Sequence, residues 1–221
     1  MVNQGLIELV EKLKGAGYLK LKRTEKAILA VDRGYFVPEY AKTFAYYDQP
    51  IPIEENQAIS APSVVSFMLD ALDVRPEMNV LEIGTGSGYN AALLSFLVGR
   101  KGLVTSIEFY EKLHEFAKKN IGKVKNGEPK LEFKNLNLVL GDGSLGYEIS
   151  APYDAIISTA AISGINEMHP FVQQLKEDGK LIAPVGTSSF QDLILYSKKT
   201  NLFRKILPVM FVPMRGVGGI K

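Results

Sequence analysis

The sequence predicts an α/β protein with a doubly wound, mostly parallel sheet, and three observations carry that reading. An apolar run at Val80, Leu81 and Ile83 passes directly into a glycine-rich turn and then a helical pattern, the strand–turn–helix unit of such sheets. Short apolar runs alternate with helical patterns through the rest of the chain. The 221 residues fit one sizeable core covered on both faces. A single domain over 1–221 is expected, with 1–60 as an N-terminal helical extension and 61–221 as the α/β core.

Leu6, Ile7, Leu9, Val10 and Leu13 recur at helical spacing, and Gly15 and Gly17 end the pattern. Thr24 is placed to cap a second helix with Ala27, Ile28, Ala30 and Val31 on its apolar side, before Gly34 and Pro38 break it. Residues 40–62 hold too many aromatics and prolines for a regular element, yet are too apolar for disorder. Pro62 suits the first turn of a helix whose apolar face is Val64, Val65, Met68, Leu69 and Leu72. After the central strand and its helix, 103–107 forms a second strand ending at Glu108. Leu113, Phe116 and Ala117 line a helix, and a lysine-rich loop follows. Strands are expected at 136–140, 155–158 and 181–186, with a final antiparallel pair at 192–196 and 203–211, making seven.

Composition removes several function classes. Hydrophobic residues make up 46% and charged residues 23%, values of an ordinary globular protein. No apolar run reaches the ~18 residues of a spanning helix, and Asn3, Glu8 and Glu11 do not read as a signal peptide, so a cytoplasmic location and no membrane partner are expected. The absence of cysteine excludes disulfides and thiol nucleophiles. With only His114 and His169, a metal site or a Ser-His-Asp triad has almost no material. His114 reads as a surface residue of a helix, and His169, before Pro170, as a structural residue at a helix start. The net charge of +2 does not call for nucleic acid. The cluster of Lys118, Lys119, Lys123, Lys125, Lys130 and Lys134 is interrupted by Glu128 and Glu132 and reads as a solvated surface.

The central turn discriminates between two ligands. A dinucleotide fingerprint, G-x-G-x-x-G/A, fails here because Tyr89 stands where the last small residue belongs. What stands instead is Glu82 in the strand end, then Gly84, Gly86 and Gly88, then Asn90 in the first turn of the helix. This arrangement resembles motif I of class I methyltransferases, which implies S-adenosyl-L-methionine as the cofactor. A glycine turn without a ligand is the competing interpretation. Glu108, 20 residues beyond Gly88, stands where nucleotide-binding α/β folds place an acid that accepts from ribose hydroxyls.

The segment before the turn is more specific. An Arg-x-x-Phe-Val-Pro block at 33–38, a Tyr, Asp and Pro block at 47–53 and a Gln-x-Ile-Ser-x-Pro block at 57–62 stand in order before motif I. Together with Gly-Asp-Gly at 141–143, the 151–154 block and the Phe-Val-Pro-Met-Arg-Gly end, the chain resembles the protein-L-isoaspartate O-methyltransferases over roughly 24–217. The resemblance implies a class I methyltransferase fold that transfers a methyl group to the α-carboxylate of L-isoaspartyl residues in damaged proteins and peptides, leaving S-adenosyl-L-homocysteine. It implies Glu82, Gly84, Gly86, Gly88, Asn90, Glu108, Asp142, Gly143 and Thr159 at the cofactor, with Asp142 accepting from the adenine amino group. It implies Gln57, Ile59, Ser60, Val212 and Pro213 at the substrate, with Ser60 orienting the carboxylate; a helix N-cap is the plainer reading of that serine. Ser63 replaces a histidine common in the family, and residues 162–167 differ from it, which places a changed cleft rim there. Another acceptor, or a binding module without catalysis, remains as an alternative. A carboxylate acceptor is already ionised at neutral pH, so the scarcity of histidine is consistent with this chemistry.

Overall fold

The computed structural model describes residues 3–128 and 131–220. In chain order come α1 (Gln4–Gly15), α2 (Lys22–Ala30), a two-stranded ribbon of β1 (Ile51–Pro52) and β2 (Ala58–Ile59), and α3 (Pro62–Leu72). The core follows as β3 (Asn79–Ile83), α4 (Tyr89–Val98), β4 (Leu103–Glu108), α5 (Glu111–Gly127), β5 (Leu136–Leu140), β6 (Tyr153–Ser158), α6 (Pro170–Gln173), β7 (Leu175–Gly186), β8 (Gln191–Ser197) and β9 (Leu202–Val209). The main sheet has seven strands in the order β5-β4-β3-β6-β7-β8-β9. From β5 to β7 neighbours are parallel, whereas β7–β8 and β8–β9 are antiparallel. Among the described residues, no helix is long and apolar enough to cross a membrane.

Strand periodicity divides the core. Val80, Ile157, Ile182 and Leu193 enter one apolar cluster with residues of α1 to α5. Their sequence neighbours Leu81, Ile156 and Leu181 enter a second cluster with Phe171 and Val172 of α6. Alternate side chains leave opposite faces of a strand, so these clusters are the two covered faces of a doubly wound sheet. Helix α4 is buried nearly all round, from Tyr89 to Val98, because it lies between the sheet and the N-terminal helices.

Several local expectations change in three dimensions. Helix α2 starts at Lys22 with Leu21 as an uncapped N-cap, and Thr24 is buried inside its first turn. Ile7 is 39% exposed and lies off the buried stripe of α1, which Leu6, Leu9, Val10 and Leu13 form. The lysine-rich segment is helical through Gly127, because Ile121 and Val124 continue the buried stripe of α5 while the lysines face water; Lys130 lies outside the described residues. Strand β9 ends at Val209, short of residue 211. His114 is buried rather than on the surface.

The three turn glycines all have positive φ: 92° at Gly84, 54° at Gly86 and 85° at Gly88. A Cβ on Gly88 would stand 3.2 Å from the Ala117 Cβ of α5, so this glycine serves helix packing as well as the turn. Gly88→Ala is expected to destabilise the fold by about 1–3 kcal/mol, combining left-handed strain with crowding. Denaturant titration measures it, and an unchanged midpoint would refute that account.

Candidate active site

The carboxyl ends of β3, β4 and β6 meet at the 84–88 turn, and hydrogen bonds hold that turn from both sides. On the β4 side, Gly84 N–H donates to the Ile107 carbonyl (2.9 Å), and Gly86 N–H donates to Glu108 Oε2 (2.8 Å). On the β6 side, Thr159 Oγ1 donates toward the carbonyls of Gly84 (2.7 Å) and Ile83 (3.1 Å). A Cβ on Gly84 would lie 2.5 Å from that threonine oxygen. Only glycine permits the approach.

Glu108 is nearly buried at the strand end. Its Oε1 accepts from Tyr110 N–H (3.0 Å), and the carboxylate also lines an open cleft with Ile107, Leu113 and Gly143. Burial pushes its pKa upward, against the backbone donors from Tyr110, Gly86 and Phe109. A Cβ on Gly143 would meet Ile83 and Ile107 at 3.2–3.3 Å, so glycine keeps this wall thin. Gln57, Val212 and Pro213 complete the cleft from the other side.

A recess beneath the turn adjoins this cleft, sharing Ala58, Gly84, Gly86 and Thr159 with it. Ile59, Ser60, Glu82 and Asn90 line the recess. Glu82 is fully buried, accepting from Asn90 Nδ2 (2.7 Å) and from the Ser106 hydroxyl, which lies 2.6 Å from Thr85 Oγ1. Asn90 Oδ1 is buried without a partner among the described residues. An orphaned acceptor beside a buried carboxyl group is a place for a cationic donor. Desolvation raises the Glu82 pKa to about 7, against the hydrogen bonds from Ser106 and Asn90.

An outer groove joins at Ala58, Ser60, Thr159 and Val212. Ser60 therefore lines both the recess and the groove. Its carbonyl accepts from Arg33 Nη1 (2.9 Å), and among the described residues its hydroxyl has no hydrogen-bond partner. It is not the cap of α3: the N-cap is Ala61, without a side-chain hydrogen bond, and Asp48 Oδ1 accepts from Ser63 N–H (2.8 Å). Asp48 does from a distant loop what a capping serine would do locally.

Two expected cofactor residues do not themselves line the cleft or the recess. Gly88 packs against α5, as described above, and Gly84 and Gly86 line the cleft and recess. Asp142 directs its carboxylate to Ser144 N–H (2.9 Å) and Val217 N–H (2.8 Å), and Gly143 and Ser144 line the cleft in its place. Residues 162–167 do not line these cavities. Ile162 instead bridges to Val185 of β7. His169 caps α6 through Nδ1, accepting from Phe171 N–H (3.2 Å).

Arg33 and Gln191 were not given roles from sequence, and both organise the site. Arg33 is completely buried, reaches the carbonyls of Ser60 and Gln49, and lies 5.4 Å from the Tyr89 ring centroid at the start of α4. Burial lowers its pKa to about 10, so it stays charged at neutral pH. Gln191 accepts from Phe211 N–H (2.7 Å) and donates to the Phe211 carbonyl (3.0 Å), fixing the backbone that delivers Val212 and Pro213. The 33–38 block marked Arg33; nothing local in the sequence marks Gln191.

A sheet with β3 flanked by β4 and β6, a hairpin tail at β8 and β9, and a cleft at the carboxyl ends of β3 and β4 define a class I methyltransferase fold. The family model described as protein-L-isoaspartate(D-aspartate) O-methyltransferase matches residues 4–218, and the chain belongs to that family. A protein-L-isoaspartate O-methyltransferase of Pyrococcus horikoshii is 44% identical over 214 residues, covering 95% of this chain and 92% of the relative. One of Methanococcus aeolicus is 44% identical over 213 residues, covering 96% and 94%. Among solved structures, a protein-L-isoaspartate O-methyltransferase at 32% identity superposes with a TM-score of 0.82, covering 97% of this chain and 67% of the other. A structure described as the Plasmodium falciparum enzyme in complex with S-adenosyl-L-homocysteine gives a TM-score of 0.82 at 27% identity, with coverage of 94% and 97%.

The buried Glu82 predicts a pH signature. Its raised pKa means that the folded chain keeps a proton that the unfolded chain has released between about pH 4.5 and 7. Stability contributed by the neutral form is therefore lost as pH rises through that window. In Glu82→Gln this loss, on the order of 3 kcal/mol, should disappear. Denaturation midpoints of both proteins across pH 4.5 to 8 measure it, and parallel curves would count against the assignment.

Proposed function

We propose that the chain transfers a methyl group from S-adenosyl-L-methionine to the α-carboxylate of L-isoaspartyl residues in damaged proteins and peptides. The observation that carries this reading is the meeting of the recess and the outer groove at Ser60, whose hydroxyl has no partner among the described residues. The residues present fit the cofactor. Glu108 keeps acceptor capacity for ribose hydroxyls beside the thin wall at Gly143, and Glu82 with the orphaned Asn90 Oδ1 offers acceptors to an ammonium group. When bound, the cofactor supplies a methyl group made electrophilic by a cationic sulfur.

The chain's own residues then have a positioning task. The acceptor carboxylate is ionised at neutral pH and needs no general base. Ser60 donates its free hydroxyl to one carboxylate oxygen and leaves the other to react. Arg33 holds the Ser60 backbone in place, and Gln191 holds the strand end that presents Val212 and Pro213 to the peptide. Gln57 and Ile59 wall the passage between cofactor and acceptor. Such alignment in a water-poor site can supply roughly 7–11 kcal/mol of barrier reduction.

A synthetic isoaspartyl peptide and its normal aspartyl twin test the reading, with radiolabelled methyl transfer as the readout. Methylation of the isoaspartyl peptide alone is expected; methylation of neither or of both overturns it. Glu108→Ala should weaken cofactor binding at least tenfold by calorimetry while the melting transition persists, and an unchanged affinity would remove its ribose role. Ser60→Ala should lower kcat by about ten- to a hundredfold, as loss of a single orienting hydrogen bond would, with cofactor affinity held. A normal kcat would reduce Ser60 to a wall residue.

A further inference from the structure

The outer groove does not stop at the acceptor position. Its lining includes residues 207–212 on one side and Tyr18, from the turn after α1, on the other. A second depression continues from Tyr18, lined by Lys20, Phe67, Asp70, Arg204 and Ile206. The two share Tyr18, and residues 204–212 line them without a break. Consecutive residues of a strand face opposite sides, so a channel lined by all of them follows the open edge of β9, the last strand of the sheet.

The chemistry changes along this channel. Near Ser60 the outer groove has no charged side chain among its described lining residues. At the far end stand two exposed cations, Lys20 and Arg204. Among the described residues neither has a carboxylate partner. Lys205 is committed elsewhere, to Asp192 at 2.6 Å and over the Phe190 ring. Asp70, the acid of the depression, turns Oδ2 to the N–H groups of Lys20 (2.6 Å) and Leu21 (3.0 Å), and its Oδ1 is buried. It fixes the loop that carries Lys20 rather than offering its charge to the groove.

We infer that this channel is an extended subsite for the chain flanking the isoaspartyl residue, and that Lys20 and Arg204 select substrates with an acidic side chain at its far end. The inference rests on the proposed activity and adds a specificity to it. The occupant is an extended peptide because the channel follows a strand edge away from the acceptor position. It is acidic because the exposed charges without an ion-pair partner among the described lining residues, Lys20 and Arg204, are positive, whereas the Asp70 carboxylate is turned onto backbone N–H groups. Arg204 is about five residues along β9 from Val209, roughly 16 Å at strand spacing. Val212, at the acceptor position, stands beyond the end of β9, so an extended peptide places its acid about five to eight positions from the isoaspartate.

The experiment uses the full chain and isoaspartyl peptides carrying Glu, Gln or Lys at each position from about five to eight residues to the N-terminal or the C-terminal side. In one of the two directions the Glu peptide should show a KM roughly fivefold below that of the Gln peptide, as two exposed ion pairs supply, with kcat unchanged. The advantage should fade in 1 M salt. In the double variant Lys20→Glu, Arg204→Glu the order should reverse in favour of Lys, while methylation of the Gln peptide and cofactor affinity stay as in the wild type. Equal KM values in both directions, or a Glu preference that survives the double reversal, overturn the inference and leave the activity standing. Failure to methylate any isoaspartyl peptide, the Gln peptide included, overturns the activity and the subsite with it.

Discussion

The turn at 84–88 is clamped between the ends of β4 and β6, and the rest of the site depends on that clamp. Gly86 N–H on Glu108 and Thr159 Oγ1 on the Gly84 carbonyl tie three strand ends into one rigid rim. The same bonds place Glu108 in the wall of the cleft and Thr159 where all three cavities meet. Because Gly84 tolerates no Cβ against Thr159, the clamp and the glycine require each other. Rigidity here has a functional consequence, since a transfer reaction without a general base depends on alignment.

A second scaffold comes from outside the sheet. Residues 33–61 form only two short 3-10 helices, turns and the β1–β2 ribbon, yet they reach the interior through buried polar contacts. Arg33 joins the Ser60 carbonyl to the aromatic start of α4, and Asp48 satisfies the Ser63 N–H at the start of α3. A buried guanidinium is costly unless its donors find partners. The carbonyls of Ser60 and Gln49 meet part of that demand, which also determines where Ser60 stands. The irregular segment is thereby an ordered wall of the site.

The C-terminal segment closes the opposite wall by main-chain pairing. Ala161 N–H donates to the Val212 carbonyl and Met214 N–H to the Ala161 carbonyl, both at 2.8 Å. Beyond them, Asp142 and Ser144 accept from Val217 and Gly218 N–H groups. Residues 217 and 218 thus lie across the loop after β5, and the Asp142 carboxylate takes part in holding this backbone.

The doubly wound fold, the seven strands and the family were legible in the sequence, because buried strands and glycine turns leave local signatures in apolar runs and in residues that must adopt positive φ. The residues 57, 59, 60, 82, 84, 86, 90, 108, 143, 159, 212 and 213 named from motifs converge on adjoining cavities for the same reason: each sits at a strand end or turn whose position follows from its own element. Only the tertiary structure decided matters that depend on a distant partner. Asp48 rather than Ser60 serves the start of α3; Asp142 turns to the C-terminal backbone; Gly88 answers to Ala117; His114 is buried; the lysine-rich run is helical because its apolar residues reach the core. Gln191 and the cationic end of the β9 channel leave no local pattern at all, since they arise where strands and loops far apart in sequence come side by side. Spacing along a chain encodes the period of an element, and it does not encode which orphaned donor or unpaired charge lies across the gap.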